Sequence, residues 1–342
     1  MKQIHIYIGI LFTVLSCKKE IGPQNLIDDS LGSGSLLVLN EGNFGFGNAS
    51  ISRLNPNSGE IENNQYRLIN EVSIGDVLQS AKRYRNQYYF VVNNSGKIVV
   101  TDTNLVFQRE ILGFNSPRYI EFYGNTAYVT DLKQKAVYKV DLSTHSIVSE
   151  IPAQGWTEDV ILNNSELLVL DRGDYLTNSD SNWVYVIDPD LGSKTDSLKL
   201  GVNPNSMQLD NERNLWVLTS GNTGTEFSSL TQYDLISKSI LFQFIFTSGG
   251  NPSNLSFSPE NERLYFINNS IFSIHSSGTE SSPSEFYQNQ NENFYGLNVI
   301  GRRIFAFDAK NYNQIGDVNI FTLGGEKLKK VSSSHIPSMV IK

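Results

Sequence analysis

Short runs of Val, Ile, Leu, Tyr and Phe, separated by Gly, Asn, Asp and Pro, make up most of this chain, and they come in sets. Ser116-Pro117-Arg118-Tyr119-Ile120 leads to Ala127-Tyr128-Val129-Thr130-Asp131, then to Ala136-Val137-Tyr138-Lys139-Val140-Asp141, then to Ser146-Ile147-Val148-Ser149-Glu150-Ile151. Within these runs apolar and polar positions alternate with a period of two, the pattern of half-buried antiparallel strands.

The set repeats. Its lead position recurs at Asp76, Pro117, Glu158, Pro204, Pro252, Tyr295 and Pro337, at intervals of 41, 41, 46, 48, 43 and 42 residues. A unit of that length holding several short strands is a propeller blade. Second strands recur as Tyr88-Tyr89-Phe90-Val91-Val92, Leu215-Trp216-Val217-Leu218 and Arg303-Ile304-Phe305-Ala306-Phe307, and third strands as Ile98-Val99-Val100-Thr101-Asp102 and Val184-Tyr185-Val186-Ile187-Asp188.

The two ends of the repeat complete each other. Leu36-Leu37-Val38-Leu39-Asn40 reads as a second strand, residues 49–54 as a third and 61–66 as a fourth, with no first strand before them. Ile336-Pro337-Ser338-Met339-Val340-Ile341 matches the first strand Asn251-Pro252-Ser253-Asn254-Leu255-Ser256. The expected fold is therefore all-β: a seven-bladed β-propeller of four-stranded antiparallel blades. The C-terminal strand closes the ring by pairing in the N-terminal blade, with Met339 alongside Val38. Closure removes two open sheet edges.

Composition narrows the function classes. The chain of 342 residues carries a net charge of −8 and no basic stripe, so nucleic acid is not an expected partner. Its one cysteine, Cys17, cannot form an internal disulfide. Lys2, the apolar run from Ile4 to Leu15, and Val14-Leu15-Ser16-Cys17 resemble a lipoprotein export signal, with an ordinary signal peptide as the alternative. The expected organisation is a signal peptide over residues 1–16, a lipidated flexible tether over 17–35 anchored through Cys17, and the propeller over 36–342. Polar residues with Gly22, Pro23, Gly32 and Gly34 mark the tether.

Propellers gather function where loops from different blades converge around the axis. Loops after second strands and loops leading into first strands share one face. Those loops supply the candidate ligand-binding residues Asn40, Glu41, Asn43, Phe44, Asp76, Gln79, Asn93, Asn94, Arg118, Asp131, Trp156, Thr157, Glu158 and Arg172. Amide, hydroxyl, aromatic and mixed-charge groups suit a large polar ligand. Each also has a structural reading: Asn at strand ends satisfies turns, Trp156 and Phe44 fill gaps between blades, and Arg118 and Arg172 pair with Glu158 or Asp131.

Catalysis is not expected. The histidines, His5, His145, His275 and His335, are far apart, and no Gly-x-Ser-x-Gly elbow, P-loop or dinucleotide fingerprint occurs, so neither a metal nor a cofactor is implied. Adjacent carboxylates such as Glu158-Asp159 would face opposite ways on a strand.

Certain motifs resemble a known family. Asn40-Glu41-Gly42-Asn43-Phe44-Gly45, Gly75-Asp76-Val77-Leu78-Gln79-Ser80, Val91-Val92-Asn93-Asn94-Ser95-Gly96-Lys97-Ile98 and Ser116-Pro117-Arg118-Tyr119-Ile120 look like the YncE-like surface propellers, and within them the BtuG-type lipoproteins. The resemblance covers the chain from Leu36 onward and is sharpest in the first two or three blades. It implies a lipid-anchored protein on the cell surface of the outer membrane. Such a protein would capture cobalamin (vitamin B12) or a related corrinoid and pass it to a TonB-dependent outer-membrane transporter. The alternative is a non-enzymatic scaffold or adhesin of the same fold that binds protein or glycan.

Overall fold

The computed structural model describes residues 34–342 except 175, 177–179 and 223. The export signal, Cys17 and all but the last two residues of the tether lie outside the described residues. Seven four-stranded antiparallel sheets form a ring, each running from an innermost strand at the axis to an outer edge. The innermost strands are Pro337–Ile341 in blade 1 and then Leu78–Tyr84, Pro117–Tyr123, Thr157–Asn163, Pro204–Leu209, Ser253–Ser258 and Phe294–Ile300 in blades 2 to 7.

The ring closes through the C-terminal strand, which pairs antiparallel with Leu36–Asn40. Its register differs by one residue from the expected one: Met339 lies opposite Leu39, and Val340 opposite Val38. Side-chain alternation explains the choice. Val340 is buried with Leu36, Val38, Phe305 and Phe307 between blades 7 and 1, whereas Met339 turns to the other side, against the core between blades 1 and 2.

Half-burial fails in the second strand of each blade, between partly buried innermost strands and exposed outer ones. Outer strands such as Ser146–Pro152 are largely exposed, while second strands such as Leu36–Asn40 and Leu215–Thr219 are buried along their whole length. A second strand faces a neighbouring blade on each side, so both of its faces need apolar side chains. Seven separate apolar clusters result, each filled from two adjacent blades and together running around the ring. At about 25 cal/mol per Å² of buried apolar area, blade-to-blade burial is the main term holding the ring together.

One expected strand is shorter than its sequence suggested. Pairing in the outer strand of blade 1 stops at Ile61–Glu62, and Gln65–Asn70 turns into a short helix. Its Tyr66 is buried against the core between blades 1 and 2, while Leu68 stays exposed.

Candidate functional site

The innermost strands share an irregularity that builds the site. Each carries a β-bulge near its start, where the register to the second strand slips. The residues in the slipped segments include Ser338, Gln79, Arg118, Glu158, Asn205, Asn254 and Tyr295, one from every blade, and all seven line a central funnel of about 750 Å³. A bulge adds one residue against the partner strand and re-aims its side chain. Here it is repeated around the axis, so every blade contributes to one wall.

The slip covers two residues in blades 3, 4 and 6. Tyr119 therefore lines the funnel beside Arg118, and Asp159 beside Glu158. Glu158 and Asp159 thus both border the funnel at a point where the bulge interrupts period-two alternation.

A second recurring device fixes the mouth. In six blades the residue after the second strand donates its N–H to the carbonyl of the residue just before the first strand. The pairs are Glu41 to Ile336 (2.9 Å), Asn93 to Val77 (2.8 Å), Leu132 to Ser116 (3.0 Å), Arg172 to Trp156 (3.0 Å), Ser220 to Asn203 (2.9 Å) and Ala309 to Asn293 (3.0 Å). Ile336 and Val77 hold left-handed backbone at φ 52° and 60° to make this turn, a conformation that costs a β-branched residue energy. The clamp places Glu41, Arg172 and Ser220 in the funnel wall.

Inner strands are also tied across blades. The Ser80 hydroxyl donates to the Arg118 carbonyl (2.6 Å), Thr130 to that of Glu158 (2.5 Å), the Asn205 amide to that of Pro252 (2.7 Å), and Asn254 to that of Tyr295 (3.1 Å). The wall is consequently rigid.

Charge is divided unevenly around it. Blades 1 to 4 bring Glu41, Lys82, Arg118, Glu158, Asp159 and Arg172, whereas blades 5 to 7 line their side largely with amides and hydroxyls, among them Asn205, Ser220, Asn254, Asn269 and Asn298. Arg118 lies along the Glu158 carboxylate, with Nε 3.0 and 3.1 Å from its two oxygens and Nη2 2.5 Å from Oε1, and its Nη1 donates to Gln79. Arg172 reaches the other side of Glu158 at 3.3 Å. Burial alone would raise the Glu158 carboxyl, but these two guanidiniums hold it below the usual carboxylate range.

Two other carboxyls move the opposite way. Burial pushes Glu41 up to about 7, against the opposing charge of Arg118 and the hydroxyl of Tyr295, which donates to Glu41 Oε2 at 2.9 Å. Burial and the nearby Glu158 charge push Asp159 up to about 7 as well. The funnel thus holds two carboxyls that change charge near neutrality, Glu41 and Asp159, beside two held below the usual carboxylate range, Glu158 and Glu292.

Of the residues singled out from sequence, Glu41, Gln79, Arg118, Glu158 and Arg172 meet in the funnel. Asn40, Asn93, Asp131 and Thr157 do not line it and are occupied within the scaffold. Asn40 bonds Ser52 and Ser333; Asn93 bonds Ser116 and the Pro117 carbonyl; Thr157 bonds the Ala136 carbonyl. Asp131 accepts the N–H groups of Asn115, Ser116 and Gln134 (2.8, 2.8 and 3.0 Å). Asp171 and Asp308 end their second strands in the same way, accepting from Gly155 and Asn293. Asn43, Asp76 and Asn94 knit the rim loops, Asp76 accepting from Gly45 N (2.8 Å) and Asn94 (2.6 Å), while Phe44 projects from the rim and Trp156 sits outside the funnel lining. The sequence reading missed Lys82, Tyr119, Asn254, Asn298 and Ser338 as funnel residues. Their common signal is position: each lies in a first strand at or soon after its lead residue.

Comparison with known proteins bears on the fold. A family model described as a domain of unknown function, DUF5074, matches residues 34–300. No curated protein matches the sequence. Among solved structures, a proposed 6-phosphogluconolactonase from Bacteroides fragilis superposes with a TM-score of 0.67 at 11% identity, covering 90% of this chain and 98% of that one. A quinonprotein alcohol dehydrogenase-like protein from Bacteroides thetaiotaomicron superposes with a TM-score of 0.65 at 12% identity, covering 90% and 78%. Hydrazine synthase of Kuenenia stuttgartiensis gives 0.61 at 14%, covering 74% and 85%. At such identities the likeness is one of propeller architecture alone.

Proposed function

This chain belongs to the DUF5074 family, whose description assigns no activity, and from that premise we propose that it is a non-enzymatic, surface-exposed binding lipoprotein. Its funnel captures cobalamin or a related corrinoid and passes it to a TonB-dependent outer-membrane transporter. The observation that carries the reading is the ring of seven bulges, which turns one side chain per blade into a single polar cavity. A corrin is a broad, stiff ring edged with amides. An amide-lined wall on one side and fixed charges on the other supply donors and acceptors to such an edge. Rigid host and rigid guest lose little freedom on association, which favours slow release.

The resemblance of the first blades to the BtuG-type lipoproteins supports the finer ligand assignment. The fold also suits an anchor at Cys17: Leu36–Asn40 enters the ring at the face opposite the funnel, since its far end, Asn40, is at the rim. A tether leaving from that end turns the mouth away from the membrane and toward incoming solute.

Isothermal titration of the purified full chain with cyanocobalamin tests the reading. The expected result is saturable binding that weakens when Arg172 or Asn254 is replaced by Ala. An absence of binding at micromolar ligand would remove the corrinoid assignment and leave a surface scaffold of the same fold.

A further inference from the structure

At the seam between blades 7 and 1 the polar funnel runs into an aromatic rim. Tyr295, whose hydroxyl bonds Glu41, packs edge-on against Tyr312 with ring centroids 5.8 Å apart and planes at 86°. Tyr312 lines the funnel yet leaves 44% of its surface exposed, and it holds left-handed backbone at φ 64°, an outlier for so bulky a residue. Its carbonyl accepts the Asn43 amide at 2.5 Å, which ties it to the loop bearing Phe44 and Phe46. Those two rings are 71% and 76% exposed.

Exposure of this kind on a floppy loop would mean little, but this loop is held firmly. Asn43 N donates to the Asn48 side chain at 2.7 Å, the Asn48 amide returns to Asn43 at 3.1 Å, and Phe46 N donates to the Asn43 carbonyl at 3.0 Å. Gly45 N donates to Asp76 of the next blade. Gly42, at φ 74°, has no room for a side chain, because a methyl there would lie 2.6 Å from Ala49 N. Two apolar rings are thus fixed in water at the lip of a polar cavity, where exposed aromatics mark contact surfaces.

We propose that Phe44, Phe46 and Tyr312 form a second subsite, which binds a flat aromatic heterocycle belonging to the ligand whose polar part occupies the funnel. This rests on the funnel being the binding site proposed above. A sugar ring would need hydrogen bonds to its hydroxyls around the stacking face, whereas the neighbouring Asn43 and Asn48 side chains are already engaged with each other and with Tyr312. What remains is bare ring surface, which suits another aromatic face. In a corrinoid the matching group is the base of the nucleotide tail.

The experiment compares cyanocobalamin with cobinamide, the corrin without its nucleotide tail, on the full chain and on its Phe44→Ala/Phe46→Ala variant, whose two rings lie outside the funnel lining. Loss of the rim should weaken cobalamin about tenfold and leave cobinamide unchanged. Equal effects on both ligands, or on neither, overturn the subsite. A wild-type chain that binds neither corrinoid would end the funnel assignment instead. The rim is then judged separately by ¹⁹F NMR of fluorophenylalanine-labelled protein titrated with benzimidazole at millimolar concentration. Shifts of the Phe44 or Phe46 resonances support the subsite. No shift, or a shift only with cellobiose, overturns it.

Discussion

Arg118 and Glu158 come from neighbouring blades and meet face to face in the funnel wall, the guanidinium contacting both carboxylate oxygens. Both are largely buried, with 17% and 5% of their side chains exposed, so neither charge has water to fall back on. Breaking one member of a buried pair costs about 3–5 kcal/mol when the other charge is left stranded, and for Glu158 the contact with Arg172 at 3.3 Å offsets only part of that loss. Arg118→Ala should therefore lower the urea midpoint sharply, and Arg118→Lys should rescue it only in part, since an ammonium cannot span two oxygens. Arg118→Met/Glu158→Leu should lose less than the sum of Arg118→Met and Glu158→Leu, although it also removes the contact of Arg172 with Glu158. A double variant as unstable as the sum of its single changes would show that the pair is not coupled.

The raised carboxyls give stability a second pH dependence. Glu41 and Asp159 titrate near 7 when folded and near ordinary carboxyl values when unfolded, so between those limits the native state binds more protons than the unfolded one. Their contribution is complete below the unfolded value and is lost as pH rises through about 7. Glu158 is shifted the other way; its contribution is present above the unfolded value and lost in acid. Chemical denaturation across pH 4 to 9 should show a decline from mildly acidic to neutral pH that flattens in Glu41→Gln and Asp159→Asn. An unchanged slope in both variants would contradict the assignment.

Ring closure depends on close approaches at two glycines of blade 7, Gly296 against Ser338 and Gly316 against Pro337. A methyl on Gly296 in blade 7 would lie 2.0 Å from the carbonyl oxygen of Ser338 in the closing strand and 3.1 Å from the Phe307 ring. The obstacle at Ser338 is backbone, so Gly296→Ala must push the closing strand away, at about 2 kcal/mol or more. Gly324→Ala is the control, because its methyl meets nothing nearer than 3.6 Å. Thermal unfolding should separate the two clearly, and Gly296→Ala should also expose the Leu36–Asn40 edge and promote association on size exclusion.

Blade number and closure were legible because both rest on periodicity. Each blade repeats the same apolar spacing, and the C-terminal run matches the first strands by composition. The funnel was legible only in part. Glu41 and Arg118 stood out as polar residues at strand ends, but Asp159 and Tyr119 are placed by bulges, and one extra residue against a partner strand leaves no mark on a single strand's pattern. Asp131 and Asn93 looked like ligand groups for the same reason that Glu41 did. Only coordinates reveal that their hydrogen bonds are spent holding the loops that enter the first strands. The helix Gln65–Asn70 was missed because six residues are too few for a helical period to register beside a strand-like start.

The Tyr295 hydroxyl offers the most selective probe of the funnel, because its value depends on the charge of its partner. It donates to Glu41 Oε2 at 2.9 Å and helps keep that carboxyl from rising further. A hydrogen bond to an ionised group contributes about 1.5–3 kcal/mol, against about 0.5–1.5 kcal/mol when both partners are neutral. Below pH 6 Glu41 is mostly protonated, and Tyr295→Phe removes only a neutral interaction. Above pH 8 the same substitution leaves a buried carboxylate without its phenol donor. The loss of stability should therefore be about 1–2 kcal/mol larger at pH 8.5 than at pH 5, and the difference should vanish when Tyr295→Phe is combined with Glu41→Gln. A purely steric role for Tyr295, such as supporting the Tyr312 ring, predicts the same loss at both pH values and in both backgrounds.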